Sequence, residues 1–162
     1  MQKILVTGTA GFIGFHTAKK LLNQGIKVIG IDNINDYYDI KLKKENLRIL
    51  NFYENFTFVK EDIIDSDCIN KYKPDKVIHL AAMAGVRYSF KNPQLYCRVN
   101  IEGTVNLLEQ SRKNNVKMFV YASSSSVYGN NDTKFQEDKE LNDPESIYAA
   151  TKSSVEMMAK LY

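Results

Sequence analysis

Tyr148 and Lys152 stand four residues apart in YAATK, a spacing that puts both on one face of a helix. A free phenol titrates near pH 10, too high for a base at neutral pH. A neighbouring ammonium favours the phenolate, so Tyr148 beside Lys152 can take a hydroxyl proton as a general base. The same spacing is also common helix decoration. Just upstream, ASSSSVYG (122–129) sets Ser123 to Ser126 at the end of an apolar run. A serine hydroxyl both donates and accepts, although serine runs also fill flexible loops. Near the other end, TGTAGFIG (7–14) follows KILV and spaces Gly8, Gly11 and Gly14 three apart.

The glycines suit a strand-to-helix turn. Gly8 can adopt backbone angles closed to other residues. Gly11 lets a ligand approach the backbone, and Gly14 lets the new helix pack closely on the strand. The helix start then offers free N–H groups and a partial positive charge to an anion, and a pyrophosphate fits. The spacing is G-x-x-G-x-x-G rather than the commoner G-x-G-x-x-G, and a turn needing glycine for shape alone would look similar. Context adds weight. Asp32 closes the next strand, in IGIDN, at about the distance expected for an acid that accepts from a ribose diol. An acid there repels a 2′-phosphate, so NAD is expected in preference to NADP. The plainer reading of Asp32 is a turn residue.

These residues need a scaffold. KILVT (3–7), IKVIGID (26–32), FTFVKED (56–62), KVIHLAA (76–82) and KMFVYASS (117–124) read as strands. Between them, helical patterns run from Gly11 to Asn23, over 92–115 with Pro93 in the first turn, and over 144–162. Gly25 suits the end of the first helix. The charged segment 36–50 reads as a partly helical, solvated surface element. Alternating strands and helices, with strands apolar throughout, predict an α/β fold with a doubly wound parallel sheet of about five strands. Ser123 to Ser126 then emerge at a strand's carboxyl end, where such sheets place ligands.

At 162 residues the chain fits one domain. Net charge is +3, too small an excess to argue for nucleic acid. No run approaches the length of a membrane span, and MQKILVTG reads as a first strand rather than a leader. Cys68 and Cys97 lack metal-ligand spacing. They read as two thiols in a reducing, cytoplasmic compartment, and no metal is expected. His79, in an apolar strand, reads as a satisfied core histidine, and His16 has no evident partner.

Together these marks resemble the extended short-chain dehydrogenase/reductase family, in its NAD-dependent epimerase/dehydratase branch. They are TGTAGFIG, Asp32, HLAA (79–82), Asn100 in VNIEGTVNLLE, the serines before VYG, and YAATK. Within the branch, DNINDYYD (32–39) and AGVRYSFKNP (84–93) look most like UDP-glucuronate 4-epimerases. The resemblance implies a Rossmann-type sheet, bound NAD, a UDP-sugar substrate, and a catalytic set of Ser124, Tyr148 and Lys152. It implies a cofactor path along Gly8, Gly11, Phe12, Ile13, Gly14, Asp32, Asn33, Asp62 and Ile63. Leu80, Ala81, Ala82, Asn100, Tyr148 and Lys152 continue that path. Asp62 would accept from the adenine amino group and Ile63 would pack on its face. Arg87, planar and permanently charged, would meet an anionic sugar or a phosphate, or else form a structural ion pair. Ser125 and Ser126 would stand near the substrate.

Two positions depart from the family pattern. Lys134 precedes Phe135 where proline is usual, and Val155 precedes Glu156 where asparagine is usual. Family members are also about twice as long. Residues 1–162 are therefore expected to be an incomplete NAD-binding domain without its substrate-binding part. Such a chain would act with a complementing C-terminal half, or be a non-catalytic NAD-binding remnant. Self-association, including a homodimer, is expected. A 4,6-dehydratase is disfavoured, because Ser125 and Ser126 stand where its acid pair is wanted. A UDP-glucuronate decarboxylase begins with the same oxidation and stays open.

Overall fold

The computed structural model describes residues 2–130, 135–137 and 143–162. Lys134, one of the two departures, lies outside the described residues. Five strands, β1 (Lys3–Thr7), β2 (Lys27–Asp32), β3 (Phe56–Lys60), β4 (Lys76–His79) and β5 (Met118–Tyr121), form one sheet in the order β3-β2-β1-β4-β5. Every pairing is parallel, with Ile4 opposite Val28 on one side and Lys76 on the other. The expected doubly wound α/β sheet is present. β1 and β2 end where their apolar runs do, whereas β3, β4 and β5 end sooner, because Glu61, Leu80 and Ala122 already belong to the loops beyond.

Both sheet faces are covered over β1 and β2, which is why those strands are apolar throughout, while Met118 and Val120 leave one face of β5 exposed. Leu5, Ile29, Ile31 and Val77 point into one layer with Ile69 and Leu107. Ile4, Val6 and Val28 point into the other, against Phe15, Ala18 and Leu22 of α1 (Phe12–Asn23). Gly25 follows α1 at φ +74, as its C-terminal position predicts. Successive crossovers step outward from β1 through β2 to β3, and the chain then returns to the far side of β1 for β4 and β5. The direction changes between β1 and β4, and a crevice opens there at the strands' carboxyl ends.

Three expectations need correction. Segment 36–50 is not simply solvated. It holds α2 (Ile40–Leu50), capped by Asp39, and buries Lys43, Leu47 and Leu50. The long helix over 92–115 is not uniform. After the one-turn α3 (Cys68–Tyr72) and α4 (Val86–Lys91), neither foreseen, it runs as α5 (Pro93–Tyr96), a π-helical segment (Cys97–Glu102), and α6 (Gly103–Lys113). Wide π turns leave main-chain groups to other partners, and the Thr104 hydroxyl donates to the Asn100 carbonyl oxygen at 2.5 Å. The last helix, α7 (Ile147–Ala159), starts later than Pro144, because Ser146 is its cap and accepts from the Ala149 N–H at 3.0 Å. Among the described residues, no helix is long and apolar enough to cross a membrane.

Candidate active site

The glycine turn is tight for identifiable reasons. Gly8 lies at φ +70, and a Cβ there would stand 2.8 Å from the Ala81 nitrogen. A Cβ on Gly14 would stand 2.0 Å from the Gly8 oxygen, so the start of α1 rests on the turn itself. Gly11 makes room for a side chain as well, since its Cβ would be 3.2 Å from the Tyr38 hydroxyl. The turn is bolted to β4 by Thr7, whose Oγ1 accepts from the N–H groups of Leu80 (3.1 Å) and Ala81 (3.0 Å).

Gly8, Gly11, Asp32, Asn33, Asp62, Ile63, Leu80, Ala81 and Ala82 line one pocket in the crevice. Asp32 is buried. Its Oδ2 accepts from the Ala10 N–H at 3.1 Å and its Oδ1 from the Ile34 N–H at 2.8 Å. It therefore shapes the turn and still keeps a lone pair on each oxygen for a ligand. Asn33 donates to Asp62 Oδ2 at 2.8 Å, which locks the ends of β2 and β3 together. Ile63 is 4% exposed and packs against Gly103, where a Cβ would be 2.8 Å away.

Six of the expected path residues do not line this pocket: Phe12, Ile13, Gly14, Asn100, Tyr148 and Lys152. The side chains of Phe12 and Ile13 face solvent, and Gly14 is packed on Gly8. Asn100 is buried behind the wall. Its Oδ1 accepts from the Met83 N–H at 2.8 Å, and its Nδ2 donates to the Met83 carbonyl and to Thr151 Oγ1, both at 3.0 Å. Sequence reasoning missed Asn35, Tyr37, Tyr38 and Lys43, which also line the pocket. Lys43 donates to the carbonyl of Asn35 at 2.9 Å and to its Oδ1 at 2.7 Å, and lies 4.6 Å from the Tyr38 ring centre. Burial pushes the Lys43 ammonium below its usual pKa, with Asp32 and Asp36 opposing. Burial and Asp32 push the Tyr38 phenol up. The available signal was the pair of tyrosines, Tyr37 and Tyr38, in the loop that follows the strand-ending Asp32.

Ser124 follows the end of β5, and Tyr148 and Lys152 lie on α7. Ser124 Oγ accepts from the Ser126 N–H at 3.2 Å and caps a short 3₁₀ turn, Ser125–Tyr128, leaving its proton free to donate. Ser125 and Ser126 lie within that turn. Ser123 donates instead to Glu156 of α7. Lys152 is 7% exposed and donates to the Ala122 carbonyl at 2.9 Å, so two of its N–H groups remain. Burial lowers its pKa to about 8. Tyr148 is half-buried, with its ring edge-on to Tyr96 at 6.1 Å between centres. Thr151 donates to the Tyr148 carbonyl at 2.8 Å, so Asn100 ties the pocket wall to this helix.

Arg87 is exposed on α4 and makes no ion pair among the described residues, which leaves the structural ion pair without support. His79 is buried. Its Nδ1 meets Thr7 Oγ1 at 2.7 Å and its Nε2 meets Thr104 Oγ1 at 2.9 Å. Burial, then Lys152, lower its pKa to about 3. Cys68 is buried with its thiol pushed up to about 11, chiefly by burial, and Cys97 is exposed and unpaired. No group of acidic, histidine or cysteine side chains among the described residues is arranged to hold a metal.

A family model described as GDP-mannose 4,6 dehydratase matches residues 5–162. The protein CapI of Staphylococcus aureus is 52% identical over 99% of this chain and 49% of its own length. A UDP-glucuronate 4-epimerase of Thermodesulfobacterium geofontis is 45% identical over 100% of this chain and 51% of its own length. Among solved structures, a UDP-glucuronic acid 4-epimerase from Bacillus cereus, in complex with UDP-glucuronic acid and NAD, superposes with a TM-score of 0.91 and 40% identity. That match covers 99% of this chain and 52% of the other. The chain thus spans about half the length of the curated relatives it matches.

Proposed function

The chain belongs to the GDP-mannose 4,6 dehydratase family, and we propose that it is the NAD-binding, proton-transferring half of a UDP-sugar 4-epimerase acting on UDP-glucuronate. The observation that carries this reading is the meeting of nine expected cofactor residues on one pocket at the β1/β4 switch point. The residues fit the group. The turn tolerates no Cβ at Gly8 or Gly14, the start of α1 presents free N–H groups to a pyrophosphate, and Asp32 has lone pairs for a ribose diol. Asp32, Glu61 and Asp62 all line the pocket, and these carboxylates disfavour the extra phosphate of NADP.

When bound, the nicotinamide would accept a hydride from the sugar carbon and return it. The chain's own residues perform the rest. Ser124 donates to the sugar's 4-hydroxyl and orients it. Tyr148 removes that hydroxyl's proton as the carbon is oxidised, and gives a proton back when the carbonyl is reduced from the opposite face. Lys152 supplies the positive charge that favours the phenolate, and the Ala122 carbonyl holds its ammonium in place. Arg87, which has no ion pair among the described residues, meets the sugar carboxylate, with Ser125 and Ser126 nearby. The chain spans about half the length of these relatives, and we assign turnover to an assembly that includes a complementing C-terminal half.

The test is calorimetry of NAD with the 162-residue chain. Saturable binding is expected, unchanged by Tyr148→Phe and weakened at least tenfold by Asp32→Ala, about 1.4 kcal/mol. Because Asp32 also holds the turn, thermal unfolding of Asp32→Ala must accompany it. A folded wild-type chain that binds no NAD overturns the reading. With a complementing half, Tyr148→Phe should abolish turnover. There, Arg87→Ala should cost more activity on UDP-glucuronate than on UDP-glucose, and an unchanged ratio would remove Arg87 from the site.

A further inference from the structure

We propose that Tyr37 and Tyr38 form a strap across the mouth of the dinucleotide cleft, which must lift to admit the ligand and then closes over it. This rests on the cofactor reading above and deepens it. The two tyrosines come from the β2–α2 loop, on one side of the glycine turn. The Tyr37 hydroxyl reaches across to the β4 side and donates to the Ala84 carbonyl. The Tyr38 hydroxyl lands at Gly11, where a Cβ would be only 3.2 Å from it. On the far side, Gly85 lies at φ +94, and a Cβ there would be 2.9 Å from the Tyr37 hydroxyl. Each end of the strap thus rests on a glycine. The Tyr37 ring packs on Tyr88 at 5.2 Å, so the far shore includes α4, which carries Arg87.

The near end of the strap is firmly rooted. Asn33 Oδ1 accepts from the Asn35 N–H at 3.1 Å, and Asn35 Oδ1 accepts from the Tyr37 N–H at 3.3 Å. Lys43 grips both oxygens of Asn35 from below. Across the cleft, by contrast, the strap holds by the Tyr37 hydroxyl, which meets the Ala84 carbonyl and the Tyr96 hydroxyl that shares it, and by one ring contact with Tyr88. Both tyrosines line the pocket and are still 39% exposed. Beneath them the cavity is about 110 Å³, well short of the roughly 300–1,000 Å³ of ligand sites. A dinucleotide does not fit unless the strap moves, and the weak far end is where it gives way. A reaction that returns its hydride gains nothing from exchanging the dinucleotide, so slow exchange suits it.

The experiment is stopped-flow binding of NADH to the 162-residue chain, followed by the fluorescence of the reduced nicotinamide. Tyr37→Phe keeps the ring and removes the latch. Association and dissociation should both quicken about fivefold, in the range of one neutral hydrogen bond, with the thermal midpoint unchanged. Gly85→Ala, which crowds the same hydroxyl, should quicken both rates too. Tyr53→Phe, whose hydroxyl donates to Asn23 at 2.7 Å on the protein's outer surface, should leave them alone. Wild-type rates in both Tyr37→Phe and Gly85→Ala overturn the strap and leave the cofactor reading standing. A folded wild-type chain that binds no NADH overturns the cofactor reading and the strap with it.

Discussion

His79 has a determined proton arrangement. Thr7 Oγ1 already accepts from two backbone N–H groups, so its own proton must go to His79 Nδ1. The ring is then neutral, with its proton on Nε2, which donates to Thr104, and Thr104 passes its proton to the Asn100 carbonyl. A second proton has no acceptor, and burial, then Lys152, lower the pKa from 6.5 to about 3. The unfolded chain therefore binds more protons than the folded one between those values. Stability is full above pH 6.5 and falls as pH drops through the window, by about 1.4 kcal/mol per unit. Urea midpoints should decline from pH 6.5 towards the carboxylate range, and His79→Gln should flatten that slope. An unaltered slope in the variant would place the acid sensitivity elsewhere. The core role of His79 was legible in its apolar strand. Its two threonine partners were not, because they come from β1 and α6, 72 and 25 residues away.

Elements carry different constraints at positions that look alike in the sequence. Gly14 and Gly25 are single glycines at the two ends of α1. A Cβ on Gly14 would collide with the Gly8 oxygen at 2.0 Å, whereas nothing lies within 4 Å of one on Gly25. Gly14→Ala must push the helix off the turn, at about 2 kcal/mol or more, with NAD binding lost. Gly25→Ala meets only the strain of φ +74, about 1 kcal/mol, with binding kept. Calorimetric titration and thermal unfolding of both variants check the contrast, and equal effects would show that the turn is not the constraint. The glycine spacing announced the turn. The π segment was invisible, since it coincides with buried hydrogen bonds that join Asn100 to Met83 and Thr151, 17 and 51 residues away. The buried side of α2 was hidden too, because its dense lysines read as solvated although Lys43 turns inward to hold Asn35.

In the whole molecule, β5 is an edge strand with Met118 and Val120 about half exposed, 49% and 48%. Unpaired edge groups beside exposed apolar side chains template strand addition. The chain should self-associate as concentration rises, and Val120→Lys should suppress this in sedimentation velocity, since an edge lysine resists pairing. Association that survives Val120→Lys would place the contact on another surface. The same edge flanks the Ser124 turn, so anything seated along β5 also neighbours the proposed catalytic group.

Local chemistry was determined by the sequence alone: apolar runs make strands, glycines mark the turn, an acid ends β2, and a tyrosine and lysine share a helix face. Each depends on residues close in the chain, whose geometry backbone sterics and helical period dictate. Only the tertiary structure decided which of them meet. It brought Asp32 and Asp62 to one pocket, left Phe12 and Ile13 outside it, withdrew Asn100 behind the wall, and laid Tyr37 across the cleft to Ala84. Those outcomes depend on crossovers that join residues tens of positions apart, and on buried polar groups choosing partners from whatever the packing brings within reach.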